Sequence, residues 1–140
     1  MGGFITQEIR KRGRRLGFEI ESLRGGSGIL AHVDIPGPPR VGKYGVDLEA
    51  FERIAIPALS ATAGIMVIDE LGKMELASER FREAVTALFD ESLPVVATVH
   101  AYRHPFTDAL KGRADVETLP VNGETRDGLP GRLAERVSAP

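Results

Sequence analysis

A chain of 140 residues, 42% hydrophobic and 27% charged, is long enough for one compact domain with a buried core. Its net charge of −2 gives no global pull toward nucleic acid or membrane, and no apolar run approaches the ~18–20 residues that span a bilayer. The absence of cysteine excludes disulfides and thiolate metal sites, and with no signal peptide opening the chain the cytoplasm is the expected compartment.

Residues 4–9 and 16–23 alternate apolar and polar, the period-2 pattern of half-buried strands. Between them Arg10, Lys11, Arg12, Arg14 and Arg15 surround Gly13, so a β-hairpin with a basic turn is expected. A solvated turn is the usual state of such a charge run, and no aromatic ladder accompanies it, so nucleic acid is not an expected partner. The glycine-rich segment 25–28 leads to a third strand over residues 29–35, which the prolines of 36–39 interrupt.

From Asp47 the periodicity becomes helical. Asp47 is a candidate cap, Leu48, Phe51, Ile54, Ala55 and Ala58 share a face, and Pro57 should kink or end the helix early. Residues 65–68 form a short continuous apolar run, typical of a parallel strand buried on both faces, that stops at Asp69-Glu70. Ser78 opens an amphipathic helix through Phe89, and residues 95–99 form a second buried strand ending at His100. A short helix over 106–112, a last strand over 116–121 and a closing helix over 125–137 complete the pattern. Alternating helix and buried strand predicts a parallel α/β sheet, with the first half of the chain appended as an antiparallel meander.

Asp69 and Glu70 are the first candidates for chemistry. Ligands of open α/β sheets gather at the carboxyl ends of strands, and two acids there call for a cation. An aspartate at such a point can hold hydrated Mg²⁺ beside phosphates, and a neighbouring glutamate can act as general base; acids that merely face solvent are the alternative. Lys73 can fold back over Asp69 or a phosphate, or stay at the surface. His100 reaches the same sheet edge if the two strands are parallel, where it contacts a γ-phosphate or simply ends its strand.

Residues 37–43 fit G-x-x-x-x-G-K. However, Pro38 and Pro39 each remove a backbone N–H from a phosphate cradle, and Tyr44 replaces the small hydroxyl that should reach Mg²⁺. The segment is not expected to be a true P-loop, although Arg40 and Lys43 suit phosphate contacts.

Several stretches together resemble one family: Gly3-Phe4-Ile5-Thr6 with Glu8-Ile9-Arg10, Gly13-Arg14-Arg15-Leu16-Gly17-Phe18, Arg40-Val41-Gly42-Lys43-Tyr44-Gly45-Val46, Val67-Ile68-Asp69-Glu70-Leu71-Gly72-Lys73-Met74-Glu75-Leu76, and Val96-Ala97-Thr98-Val99-His100. They are similar to the nucleoside-triphosphatases first described from thermophiles and also found in animals, over residue 3 to about residue 133. The resemblance implies a RecA-like P-loop fold and slow hydrolysis of ATP, GTP and other nucleoside triphosphates to diphosphate and phosphate. It gives Asp69 the Walker B magnesium role, makes Glu70 the catalytic base, and explains the 40–46 motif as one that relatives carry besides their genuine P-loop. Thr125 stands before Arg126-Asp127 where asparagine is expected, which bears on a nucleotide contact by Arg126.

The family pattern opens with a strand, a glycine-rich loop and a helix ahead of the segment resembling Gly3-Phe4. The sequence here starts after that unit of roughly 25–30 residues. The resulting expectation is a single, N-terminally incomplete domain with a gap beside residues 95–99, closed by rearrangement, filled from elsewhere (self-association included), or reflecting a late start. A P-loop-less interaction module and a nucleotide-kinase-like phosphotransferase are the competing functional readings.

Overall fold

In the computed structural model the described residues are 1–60, 63–122 and 126–138. They fall into two compact units, Met1–His100 and Ala101–Pro140. The first holds seven strands: β1 (Gly2–Lys11), β2 (Arg14–Ser22), β3 (Ser27–His32), β4 (Arg40–Val41), β5 (Tyr44–Val46), β6 (Met66–Leu71) and β7 (Val95–Val99). It also holds α1 (Leu48–Ser60) and α2 (Glu79–Phe89). The second unit contains α3 (Pro105–Lys111) and α4 (Leu129–Ser138).

One sheet, in the order β4-β5-β3-β2-β1-β6-β7, joins the meander to the parallel strands. β1 makes the join, pairing antiparallel with β2 and parallel with β6, Phe4 opposite Ile68. The expected parallel sheet with an appended antiparallel meander is therefore one continuous surface. The β1–β2 turn has two residues, Arg12 and Gly13, with φ of 52° and 77°. Positive φ at both positions is the type I′ geometry that matches strand twist.

The core lies between the sheet and the two helices. Phe4 of β1, Phe51 of α1 and Phe81 of α2 are fully buried and meet edge to face, with centroids 5.0–6.0 Å apart. Asp47 Oδ1 accepts the Ala50 N–H and caps α1. Ser78 Oγ accepts the Phe81 N–H to cap α2 and donates to Glu52 of α1 at 2.6 Å, tying the helices together.

Several boundaries differ from expectation. α1 continues past Pro57 to Ser60, because Ala58 and Leu59 beyond the proline are buried. Burying a leucine side chain contributes about 1.5–3 kcal/mol, enough to offset most of the interior-proline cost of about 3 kcal/mol. β3 stops at His32, where the Ile35 N–H turns back to the His32 carbonyl. β6 runs on through Asp69 and Glu70 to Leu71 instead of stopping before them. β7 is the sheet edge and only half-buried, not a fully buried strand. Residues 116–121 form no strand: the second unit contains, among its described residues, no extended partner for a ladder. α3 and α4 fall close to the expected closing helices, while Thr125 lies outside the described residues.

Candidate functional site

The site is built at the carboxyl ends of β6 and β7. Met66, Val67 and Ile68 pair in parallel with Val95, Val96 and Ala97, but the next partner of Val99 is Leu71. Asp69 and Glu70 thus occupy the place opposite a single residue, Thr98. An extra residue in a parallel ladder is a bulge, a device that re-aims side chains at a sheet rim. Thr98 Oγ1 donates to Asp69 Oδ1 at 2.6 Å and fixes that carboxylate. The His100 N–H reaches the Leu71 carbonyl at 3.4 Å, so the buried His100 stands directly beside the bulge.

Behind β6 the chain turns through Gly72 into a 3-10 turn, Glu75–Ala77. Glu75 is only 3% exposed, and its Oε2 accepts the Gly72 N–H at 3.3 Å. A Cβ on Gly72 would stand 3.1 Å from Glu75 Oε2 and 3.2 Å from Glu70 Oε1. The two carboxylates therefore close on the space that glycine leaves open. Burial pushes the Glu75 carboxyl up to about 7, with repulsion from Glu70 and Asp69 adding to it and the backbone amides of Glu75 and Gly72 opposing. Glu70 is exposed at its tip, yet partial burial and then the Asp69 charge hold its carboxyl above the usual range.

Lys73 is exposed in the turn that follows β6, on the same stretch as the carboxylates. Arg40 and Lys43 are elsewhere. They belong to the β4–β5 hairpin at the opposite end of the sheet, with three strands between β5 and β6, roughly 19 Å away at ordinary strand spacing. The Arg40 guanidinium is committed to the Ile35 and Lys43 carbonyls, both at 2.8 Å, and Lys43 Nζ sits 5.5 Å from the Tyr44 ring. The G-x-x-x-x-G-K segment is thus a hairpin and not a strand–loop–helix cradle. The Arg126 side chain lies outside the described part of the chain.

Two site residues carry no role in the sequence reading. Thr98 is a polar residue at the end of an apolar run, which is a usable signal. Glu75 stands in the stretch after Asp69-Glu70 without a role, and only the fold reveals its burial. Among the described residues no group of three His, Cys, Asp or Glu side chains gathers around a common point. Mg²⁺ is ordinarily held by one or two carboxylates together with substrate phosphates and water, so a single fixed aspartate fits an ion that arrives with a nucleotide.

The resemblance can now be set against known proteins. A family model described as NTPase matches residues 1–134. The chain belongs to this NTPase family. A relative named nucleoside-triphosphatase THEP1 from Thermotoga petrophila is 44% identical over 131 residues, 91% of this chain and 73% of the relative. A protein of the same name from Methanosarcina barkeri is 44% identical over 140 residues, 97% of this chain and 79% of its own. Among solved structures, THEP1 from the hyperthermophile Aquifex aeolicus superposes with a TM-score of 0.89 at 30% identity, covering 99% of this chain and 84% of that one. A human cancer-related nucleoside triphosphatase gives 0.81 at 34% identity, covering 98% and 81%. The fold is that of the P-loop NTPases, and no helix among the described residues is long and apolar enough to cross a membrane.

Proposed function

We propose that this NTPase-family chain hydrolyses ATP, GTP and related nucleoside triphosphates to the diphosphate and phosphate, in the cytoplasm, at the carboxyl edge of β6 and β7. The bulge carries the reading: it places Asp69 and Glu70 side by side at the point of an α/β sheet where ligands collect. Asp69, held by Thr98, is the residue that would carry Mg²⁺. The ion, when bound, neutralises charge on the phosphates. Glu70 accepts the proton of the attacking water as its oxygen bonds to the γ-phosphorus and the bond to the diphosphate oxygen breaks. The raised affinity of Glu70 for protons suits that task. Lys73 supplies positive charge and His100 a hydrogen-bonding group to the transferring phosphoryl group, and Arg126 is left for nucleotide contact. Arg40 and Lys43 are not part of this site.

The reading needs a phosphate cradle, and the outer edge of β7, which carries no ladder among the described residues, is the seat we assign to a strand–loop–helix unit that would supply it. Phosphate release without any acceptor, measured on residues 1–140 and on the same chain extended by such a unit, tests the reading and separates hydrolysis from kinase-like transfer. In whichever form turns over, Glu70→Ala should lower kcat by at least about 100-fold while Mg-ATP still binds. Undiminished turnover in that variant removes Glu70 from the mechanism.

A further inference from the structure

The basic turn finds no use in the hydrolytic site. β2 pairs with β3 only as far back as Leu16, whose carbonyl accepts the Val33 N–H, and β1 pairs with β6 only through Phe4. Beyond those points residues 10–15 pair with each other alone, Arg10 with Arg15 and Lys11 with Arg14. The hairpin therefore ends in a bare two-stranded ribbon in which every residue except Gly13 is cationic. Glu8 takes up two of the charges, binding Arg10 at 2.6 Å and Arg15 at 3.2 Å, and Arg15 also donates to the Tyr44 hydroxyl. Lys11, Arg12 and Arg14 are exposed and make no ion pair among the described residues. A protein of net charge −2 thus concentrates three uncommitted cations at one protruding tip.

β1 runs parallel to β6 and continues to Lys11, so the tip rises above the same sheet edge as Asp69 and Glu70, roughly 20 Å farther on at strand rise. A mononucleotide at the carboxylates does not reach it. We infer that the β1–β2 tip is a docking element for duplex DNA, entering the major groove and setting Lys11, Arg12 and Arg14 against backbone phosphates. The B-form major groove, about 12 Å wide, admits a two-stranded ribbon, whereas the deep, narrow A-form groove of RNA does not. An anionic lipid surface fits less well, because the exposed large hydrophobics Met1, Leu23, Ile29, Tyr102 and Val121 all lie outside the tip, leaving nothing to insert. The contact is to phosphate, so it should be salt-dependent and indifferent to sequence.

The test is fluorescence anisotropy of a labelled random-sequence DNA duplex against residues 1–140 at low salt. Three phosphate contacts predict non-specific binding near 10⁻⁵ M (about that order) with a log K against log salt slope of about −2.7. The triple variant Lys11→Gln, Arg12→Asn, Arg14→Gln keeps the turn, since Asn-Gly is the preferred type I′ pair, and its melting temperature should match the parent's. It should bind at least about tenfold more weakly with the slope near zero, whereas Arg53→Glu, exposed on α1, should leave binding unchanged. Absence of binding by the parent overturns the inference, as does equal binding by the triple variant. Equal affinity for an RNA duplex, or tighter binding to phosphatidylserine vesicles, overturns the assigned partner.

Discussion

At the scale of single residues, Glu75 connects fold stability to the site. Its carboxyl takes up a proton near pH 7 when folded, against 4.5 for the ordinary side chain, because it is buried. Below about pH 4.5 both states are protonated and the group costs nothing. As pH rises toward 7 the unfolded chain releases the proton and the folded one keeps it, so stability falls, by up to about 3 kcal/mol at the plateau above pH 7. Glu75→Gln removes the charge and still accepts the Gly72 N–H. The variant should gain on the parent between pH 5 and pH 8 in urea unfolding, and a gain equal at both pH values would mean that Glu75 ionisation is not the cause. Gly72→Ala acts on the same spot from the other side. Its Cβ stands 3.2 Å from Glu70 Oε1, so that carboxylate must give by a few tenths of an ångström, and with Glu70 as the proposed base kcat should fall more than stability does. The position of Asp69 and Glu70 at the carboxyl end of a strand was legible in the sequence, because a continuous apolar run ends in them. Glu75 was not, because its burial comes from the 3-10 turn that folds it back behind β6, which the sequence pattern does not reveal.

At the scale of elements, packing decided what local rules left open. The ring cluster of Phe4, Phe51 and Phe81 draws β1, α1 and α2 onto one core, and Phe81→Ala should cost about 3–5 kcal/mol in chemical denaturation. Pro57 tests the opposite case. It is exposed inside a helix held together beyond it by Ala58 and Leu59, so Pro57→Ala should restore a backbone hydrogen bond and stabilise the protein by about 1–2 kcal/mol. A loss instead would show that the proline itself is needed for packing. The strong patterns were read correctly: the β1–β2 hairpin, the Asp47 and Ser78 caps, and α2 with its apolar face. Weak ones failed for a common reason. Residues 116–121 and the far end of β3 have strand-like composition, but a strand exists only where a ladder partner is placed beside it, and composition does not reveal partners.

At the scale of the whole sheet, the consequential feature is the outer edge of β7. Val95, Val96, Ala97 and Val99 are each half-exposed in a strand whose sequence reads as buried on both sides, and one row of its backbone groups has no ladder among the described residues. An apolar, unpaired edge recruits another strand. That edge belongs to the strand that carries Thr98, the residue that fixes Asp69. Residues 1–140 should therefore self-associate with rising concentration in sedimentation velocity, with β7 edges pairing between copies. Val96→Lys places a charge on that edge and should shift the distribution to monomer without lowering the melting temperature by more than a few degrees. The chain extended by a strand–loop–helix unit should be monomeric without the substitution, because its own strand occupies the edge. A parent chain that stays monomeric at every concentration would mean that β7 is already covered in solution, and the unit carrying the phosphate cradle would then need a different seat.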